Sequence, residues 1–341
     1  MRVAMYYNNN DVRVEDMDAS KPGAGEIVMR TEASGVCGSD VMEWYRIPKA
    51  PLVLGHETSG EVVEVGEGVE KFKPGDRVVA THHVPCNTCY NCLRDNHSAC
   101  DTLRSTHFHP GGFSEFIRIP AVNVDRGVFL LPDEVSYEEG SFVEPLGCVA
   151  RGQRVAGFQP GGSVLVMGSG ITGLLHIQLA AAQGAGRIVA TDVHGYRLKA
   201  AIDFGADEAV NASEDIAGAL REANDGRLAD YVVVCTGAPS ALQQSLELVE
   251  RGGSVLYFAP SDPRVKLSVP FNDLWWKGAR ICSSYAAAPA DLMLALELIR
   301  SKRVNVADMV THRLPLAETG RGFKLVEQAG DSIKVIIEPQ R

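Results

Sequence analysis

Ser163-Val164-Leu165-Val166-Met167-Gly168-Ser169-Gly170-Ile171-Thr172-Gly173 is the stretch that decides the fold. Its first five residues form a continuous apolar run, as expected of a strand buried on both faces. The Gly-x-Gly-x-x-Gly that follows is a weak signal as a bare string. Here it follows such a strand and opens residues 171–183, which read as a helix, and that is the context of a dinucleotide-binding turn. The glycines permit a tight turn and let a pyrophosphate approach backbone N–H groups at a helix N-terminus. Downstream, strand-like runs at 187–191, 230–235 and 254–258 alternate with helix-like runs at 196–204 and 242–249. That alternation predicts a doubly wound parallel sheet, an α/β Rossmann-type fold.

Asp192 closes the second of these strands, 24 residues after Gly168. An acid there accepts hydrogen bonds from ribose hydroxyls and repels a 2′-phosphate, which favours NAD over NADP. The competing reading is a helix N-cap before Tyr196. Arg197 lies close by and softens the distinction. Gly168, Gly170, Ile171, Thr172, Gly173, Asp192, Arg197, Thr236 and Gly237 form the candidate cofactor set.

The first 146 residues read differently. Short β-branched runs such as 62–66 and 76–80 are bounded by Gly and Pro, and no long amphipathic helix precedes Ser136. A small β-barrel or folded sheet with long loops is expected. Residues 290–301 read as a helix, and 334–338 as a strand returning to this first domain. The expected division is therefore 1–146, 147–287 and 288–341.

The chain has 341 residues, room for about two domains. Its 33 Lys+Arg against 43 Asp+Glu give a net charge of −10, which argues against a general affinity for nucleic acid or anionic membrane. No apolar run approaches the roughly 20 residues of a membrane span. Met1 to Tyr7 leads straight into polar sequence, which reads as a chain without a signal peptide. A soluble, cytoplasmic protein is expected.

Four of the eight cysteines are spaced Cys86-x2-Cys89-x2-Cys92-x7-Cys100. Four thiolates in one short loop can close a tetrahedron around zinc with no open position, which is a structural site. The rival is an iron–sulfur cluster, but ferredoxin runs continue Cys-x3-Cys-Pro, and here the fourth Cys follows seven residues and precedes Asp101. His97 lies inside the loop, but four cysteines suffice. Cys148, Cys235 and Cys282 lie in apolar runs and read as buried packing residues. His82-His83, just before the loop, reads as structural.

A second group is spread through the same half: Cys37-Gly38-Ser39-Asp40, Gly55-His56-Glu57 and Val143-Glu144-Pro145-Leu146. With the four-cysteine loop and the Gly168–Gly173 turn, and in this order, the chain resembles the zinc-dependent medium-chain dehydrogenase/reductase family. The branch it most resembles holds sorbitol (L-iditol), threonine and butanediol dehydrogenases. The resemblance implies a GroES-like β-rich catalytic domain with a Rossmann NAD-binding domain inserted before its C-terminal piece. It implies two zinc ions: a structural one on Cys86, Cys89, Cys92 and Cys100, and a catalytic one on Cys37 and His56, with Glu57 and Glu144 as direct or exchanging ligands. Ser39 would bond the substrate oxygen and pass a proton toward the cofactor ribose; the plain alternative is a helix N-cap. A small alcohol or polyol is the implied substrate, and a homodimer or homotetramer the implied assembly.

Two positions depart from the branch. Many relatives carry a His five residues beyond the ligand Cys, where this chain has Met42, which cannot carry a proton. An Arg-Tyr pair that contacts polyol hydroxyls in sorbitol dehydrogenases corresponds here to Ser283-Ser284-Tyr285, without the Arg. Tyr45, Arg46, His107, His109 and Tyr285 are the pocket candidates, and water or an imidazole from His107 or His109 is the substitute proton route. An amino alcohol or a small diol is the alternative substrate. A non-catalytic nucleotide-binding protein of the same fold, like the crystallin-type relatives, is the remote alternative.

Asp192 carries one expected outcome. Asp192→Ala should narrow the preference for NAD, by about tenfold if about 1.4 kcal/mol of phosphate repulsion is relieved. The ratio of kcat/KM for the two cofactors measures it, and a wild type using NADP at least as well as NAD contradicts the reading.

Overall fold

A computed structural model describes all 341 residues. The chain forms two compact units. The first comprises Met1–Gly147, Ala286–Lys302 and Val306–Arg341, and the second Cys148–Tyr285 with Arg303–Asn305. Residues 303–305, expected in the C-terminal segment, group with the second unit. Residues 286–287, expected with the nucleotide fold, group with the first.

The second unit is built on a six-stranded parallel sheet. Its order is Glu208–Asn211, Arg187–Asp192, Ser163–Met167, Ala229–Val234, Val249–Tyr257 and Arg280–Ser283. In sequence order this is 3-2-1-4-5-6, the doubly wound order whose switch point lies beside the first strand. All five residues of Ser163–Met167 are buried, as a central strand covered on both faces demands. Leu165, Val232 and Val255 are fully enclosed with Leu246 and Val249. Each such aliphatic side chain contributes about 1.5–3 kcal/mol through burial. Gly168 follows the strand with φ +95°, and a Cβ on Gly173 would stand 1.9 Å from the Gly168 carbonyl oxygen. The turn is open only to glycine at both places.

The first unit holds a sheet running Val310–Pro315, Lys334–Glu338, Ile27–Gly35, Glu57–Val65, Arg77–Thr81 and Val128–Leu130, with Phe116–Ile119 also paired to Ile27–Gly35. A smaller sheet orders Asp11–Asp16, Arg2–Asn8 and Leu52–Val53. Before Ser136 the α-helices are no longer than six residues. One core cluster gathers Ile27, Met29, Val62, Val78 and Ile117. Another gathers Tyr6, Phe113, Phe323, Val335 and Ile337. The C-terminal strand is thus central to this sheet: Ile336 pairs with Gly35, which itself pairs with Glu57.

Cys148, Cys235 and Cys282, expected to be buried, are only partly so. The Cys282 thiol donates to the Val255 carbonyl at 3.5 Å. No helix is long and apolar enough to cross a membrane.

Candidate active site

Antiparallel pairing of Ile27–Gly35 with Glu57–Val65 sets Gly35 opposite Glu57. Cys37 lies two residues beyond the first strand, and His56 immediately precedes the second. Register therefore brings together groups 20 residues apart: ligand atoms of Cys37, His56 and Glu57 all lie within 4.8 Å of one another. Thiolate, imidazole and carboxylate in one place suit a zinc ion that keeps a coordination position open. Glu144 is buried in the first turn of helix Val143–Ala156 and stands outside this triplet.

Asp40 organises the centre. It sits in the 3₁₀ turn Gly38–Val41, whose N-cap is Cys37, not Ser39. The Ser39 N–H donates to Cys37 Sγ at 3.4 Å, and the Cys37 N–H donates to Asp40 Oδ2 at 3.0 Å. Asp40 Oδ1 lies 3.5 Å from His56 Nδ1 and 3.3 Å from Arg46 Nη2. Burial opposes its charge, yet His56, Arg46 and the Cys37 N–H together hold the carboxyl below its ordinary value. A carboxylate against one ring nitrogen orients the imidazole and presents the other nitrogen to a metal.

Sequence reasoning missed Lys334. Its ammonium is fully buried, forms an ion pair with Glu57 and donates to the Val36 carbonyl at 3.3 Å. A Cβ on Gly35 would stand 2.3 Å from Glu57 Oε2 and 2.6 Å from Lys334 Nζ, so the pair occupies the space that Gly35 leaves. The available signal was a lysine opening the otherwise apolar Val335-Ile336-Ile337 run.

Sequence reasoning also treated His82-His83 as structural. The His82 ring packs 4.7 Å from His56 and 3.7 Å from His83, and His107 stands 6.2 Å from His82. Burial, then His83, His56 and His107, holds His82 well below its ordinary value. Burial and the same imidazoles bring His83 to about 3. His107 is lowered by burial and by Lys49 and Arg46. His107 thus joins His82 and His83 in a group of imidazoles beside His56. His109 instead bridges Arg118 through its backbone, at 3.0 and 2.7 Å. Tyr45 packs under two cations, with Arg46 at 4.6 Å and Lys49 at 3.8 Å from its ring centre.

The sulfur atoms of Cys86, Cys89, Cys92 and Cys100 also converge within 4.8 Å. Cys86 and Cys92 Sγ are 3.9 Å apart, and Cys89 and Cys92 Sγ 3.5 Å. Bonds of about 2.3 Å to a tetrahedral zinc imply sulfur–sulfur edges of about 3.8 Å. Backbone N–H groups of Thr88 and Cys89 lower the Cys86 thiol to about 5, while burial and the neighbouring thiols push Cys92 up to about 12. Such a cluster becomes four thiolates only around a cation. His97 pairs with Asp95 at 3.2 Å and stays outside the sulfur group.

In the second unit, Gly170 caps helix Ile171–Ala182 without a side-chain bond, leaving N–H groups at the helix start for an anion. Asp192 is buried; its Oδ2 accepts from the Ser169 N–H at 2.9 Å and its Oδ1 from the His194 N–H at 3.0 Å. The N-cap of the next helix is His194, so Asp192 does not serve as that cap. A Cβ on Gly170 would lie 3.7 Å from Arg197 Nη1, and one on Gly168 3.4 Å from Thr236 Cβ, which places both residues at the turn. Gly237 follows, against Pro260. Tyr285 is exposed at the end of this unit.

The Alcohol dehydrogenase GroES-like domain family matches residues 23–133, and the Zinc-binding dehydrogenase family matches residues 172–301. The chain is 31% identical to a sorbitol dehydrogenase of Gallus gallus, over 96% of this chain and 93% of that one. It is 32% identical to a probable D-xylulose reductase A of Aspergillus clavatus, over 92% and 89%. Its structure is similar to that of 2R,3R-butanediol dehydrogenase from Bacillus subtilis, with a TM-score of 0.86, 26% identity and 99% of both chains covered.

Two outcomes follow from this geometry. Cys92→Ser should lower bound zinc by about one ion per chain and lower the melting temperature with it, because binding is coupled to folding; metal analysis and thermal unfolding on one preparation check both. Lys334→Met should cost about 3–5 kcal/mol in denaturant unfolding, since it strands the Glu57 carboxylate. A cost near zero would show that the pair is not what holds the carboxylate.

Proposed function

Because the chain belongs to the zinc-dependent medium-chain dehydrogenase/reductase family, in its sorbitol dehydrogenase-like branch, we propose that it oxidises a secondary alcohol or polyol to the ketone with NAD. The observation that carries this reading is the convergence of Cys37, His56 and Glu57 in a chain that also builds the Gly168–Gly173 turn. Cys37, His56 and Glu57, the last kept in place by Lys334, would hold the catalytic zinc, with the buried Glu144 as its exchanging carboxylate. Cys86, Cys89, Cys92 and Cys100 would hold the second, structural zinc. When bound, zinc would supply a Lewis acid toward the substrate hydroxyl, and the nicotinamide a hydride acceptor.

The chain's own residues bind, orient and move the proton. Backbone N–H groups at the start of helix Ile171–Ala182, with Arg197, take the pyrophosphate side of the cofactor, and Asp192 takes the ribose. Ser39 takes the substrate's hydroxyl proton and hands its own onward. With Met42 in place of a histidine, that onward route runs through water. Of the two imidazole substitutes, His107 is the one whose ring stands 6.2 Å from His82, itself packed against His56. His82, whose Nδ1 has no hydrogen-bond partner in the protein, and His107 are hydrogen-bonding groups for further substrate oxygens. A small diol is the second reading, supported by the likeness to a butanediol dehydrogenase and by the Ser283-Ser284 that stands where an Arg is expected. A cytoplasmic homo-oligomer completes the proposal, supported by the exposed Trp275 and Trp276.

NADH formation across a panel of polyols, diols and amino alcohols tests the reading. Turnover should need zinc and fall at least about 100-fold in Ser39→Ala. A zinc-loaded protein that reduces NAD with no member of the panel would contradict it.

A further inference from the structure

Arg46 lies nine residues beyond Cys37, at the end of the short helix Glu43–Arg46. Its guanidinium reaches back across the ligand turn. Nε donates to the Ser39 carbonyl at 2.9 Å, and Nη2 donates to Ser39 Oγ at 3.1 Å. The same Nη2 lies 3.3 Å from Asp40 Oδ1, whose carboxylate is fully buried. The Arg46 side chain is 13% exposed, and its charged plane packs 4.6 Å from the centre of the Tyr45 ring. Both neighbours of the turn are therefore gripped by one rigid fork, and the fork is itself held by a carboxylate and an aromatic face.

A serine hydroxyl has one hydrogen and two lone pairs. A free hydroxyl rotates among three staggered positions. With one lone pair of Ser39 taken by Arg46, one acceptor site and the hydrogen remain. That is the complement a relay needs: accept on one side, donate on the other. Arginine does not give up its proton in a protein, so Arg46 cannot stand in the relay. It acts only on where Ser39 points. Asp40 answers its charge, which leaves no uncompensated cation at the reacting centre.

We infer that Arg46 is a positioning residue: it fixes the Ser39 hydroxyl for proton transfer. The inference rests on the dehydrogenase reading for its kinetic consequence, while the clamp on the turn stands on the geometry alone.

A double-mutant cycle of Arg46 and Ser39 tests it, with hydrogen exchange as an arm that needs no turnover. In zinc-loaded protein, Arg46→Met should speed amide exchange in the segment 37–46, and Arg46→Lys, which keeps a cation for Asp40, should restore most of the protection. In the Ser39 background, Arg46→Met should lower kcat about 10- to 100-fold, with KM for alcohol and for NAD little changed. In the Ser39→Ala background the same change should have almost no further effect, because the group it positions is gone. Losses that multiply across the cycle, or a rise in KM alone, would overturn the positioning role. Unchanged exchange in Arg46→Met would overturn the clamp. A wild type without dehydrogenase activity whose exchange still responds to Arg46→Met would remove the function reading and leave the clamp standing.

Discussion

A lysine and a glutamate without solvent must meet or be absent, and here they meet beside Cys37 and His56. Stranding either charge costs several kcal/mol, so Lys334 and Glu57 constrain where their two strands lie. Those strands flank Ile27–Gly35 on opposite sides, and Gly35 has no side chain to keep the pair apart. The register that satisfies the ion pair also fixes the residue after one strand end and the residue before another. Those are Val36, leading to Cys37, and His56. The last strand of the chain is thereby part of the metal centre, although it contributes no ligand.

The two candidate metal sites solve the same problem at different ranges. The cysteine loop draws all four donors from fifteen residues, so little chain entropy stands against closure once the cation is present. It is closed and carries no exchangeable position. The other centre takes its donors from separate strand ends and holds them from behind: Asp40 against His56, the Ser39 N–H on Cys37 Sγ, Lys334 on Glu57. That backing lets a ligand set of only three convergent groups keep its shape, and an open position is what chemistry on a substrate oxygen requires.

The nucleotide unit relies on backbone more than on side chains. Asp192 takes two backbone N–H groups, from Ser169 and His194, and so ties the first turn to the end of the second strand. Carboxylate oxygens have further lone pairs, so this anchoring is compatible with a ribose contact. The strand order places the turn at the switch point of the sheet, where the two neighbouring strands lead away from it in opposite directions.

The sequence alone determined whatever is local. The buried run and glycines at 163–173, the alternation that follows, and the four-cysteine loop are patterns of period and spacing, and physics acts on them within a few residues. Cys37, His56 and Glu57 were legible as motifs, but their meeting depended on strand register, which one residue of slip would undo. Lys334 showed only as a lysine opening an apolar strand; its pairing with Glu57, 277 residues away, was illegible. His82 looked like part of the loop scaffold until the end of Arg77–Thr81 brought it against His56. Arg46 was legible as a pocket candidate, but that its guanidinium turns back onto Ser39 and Asp40 was not. The tertiary structure decided these three because a charged or polar group takes its role from what desolvates and pairs with it. That environment is assembled by chain segments that local pattern does not relate.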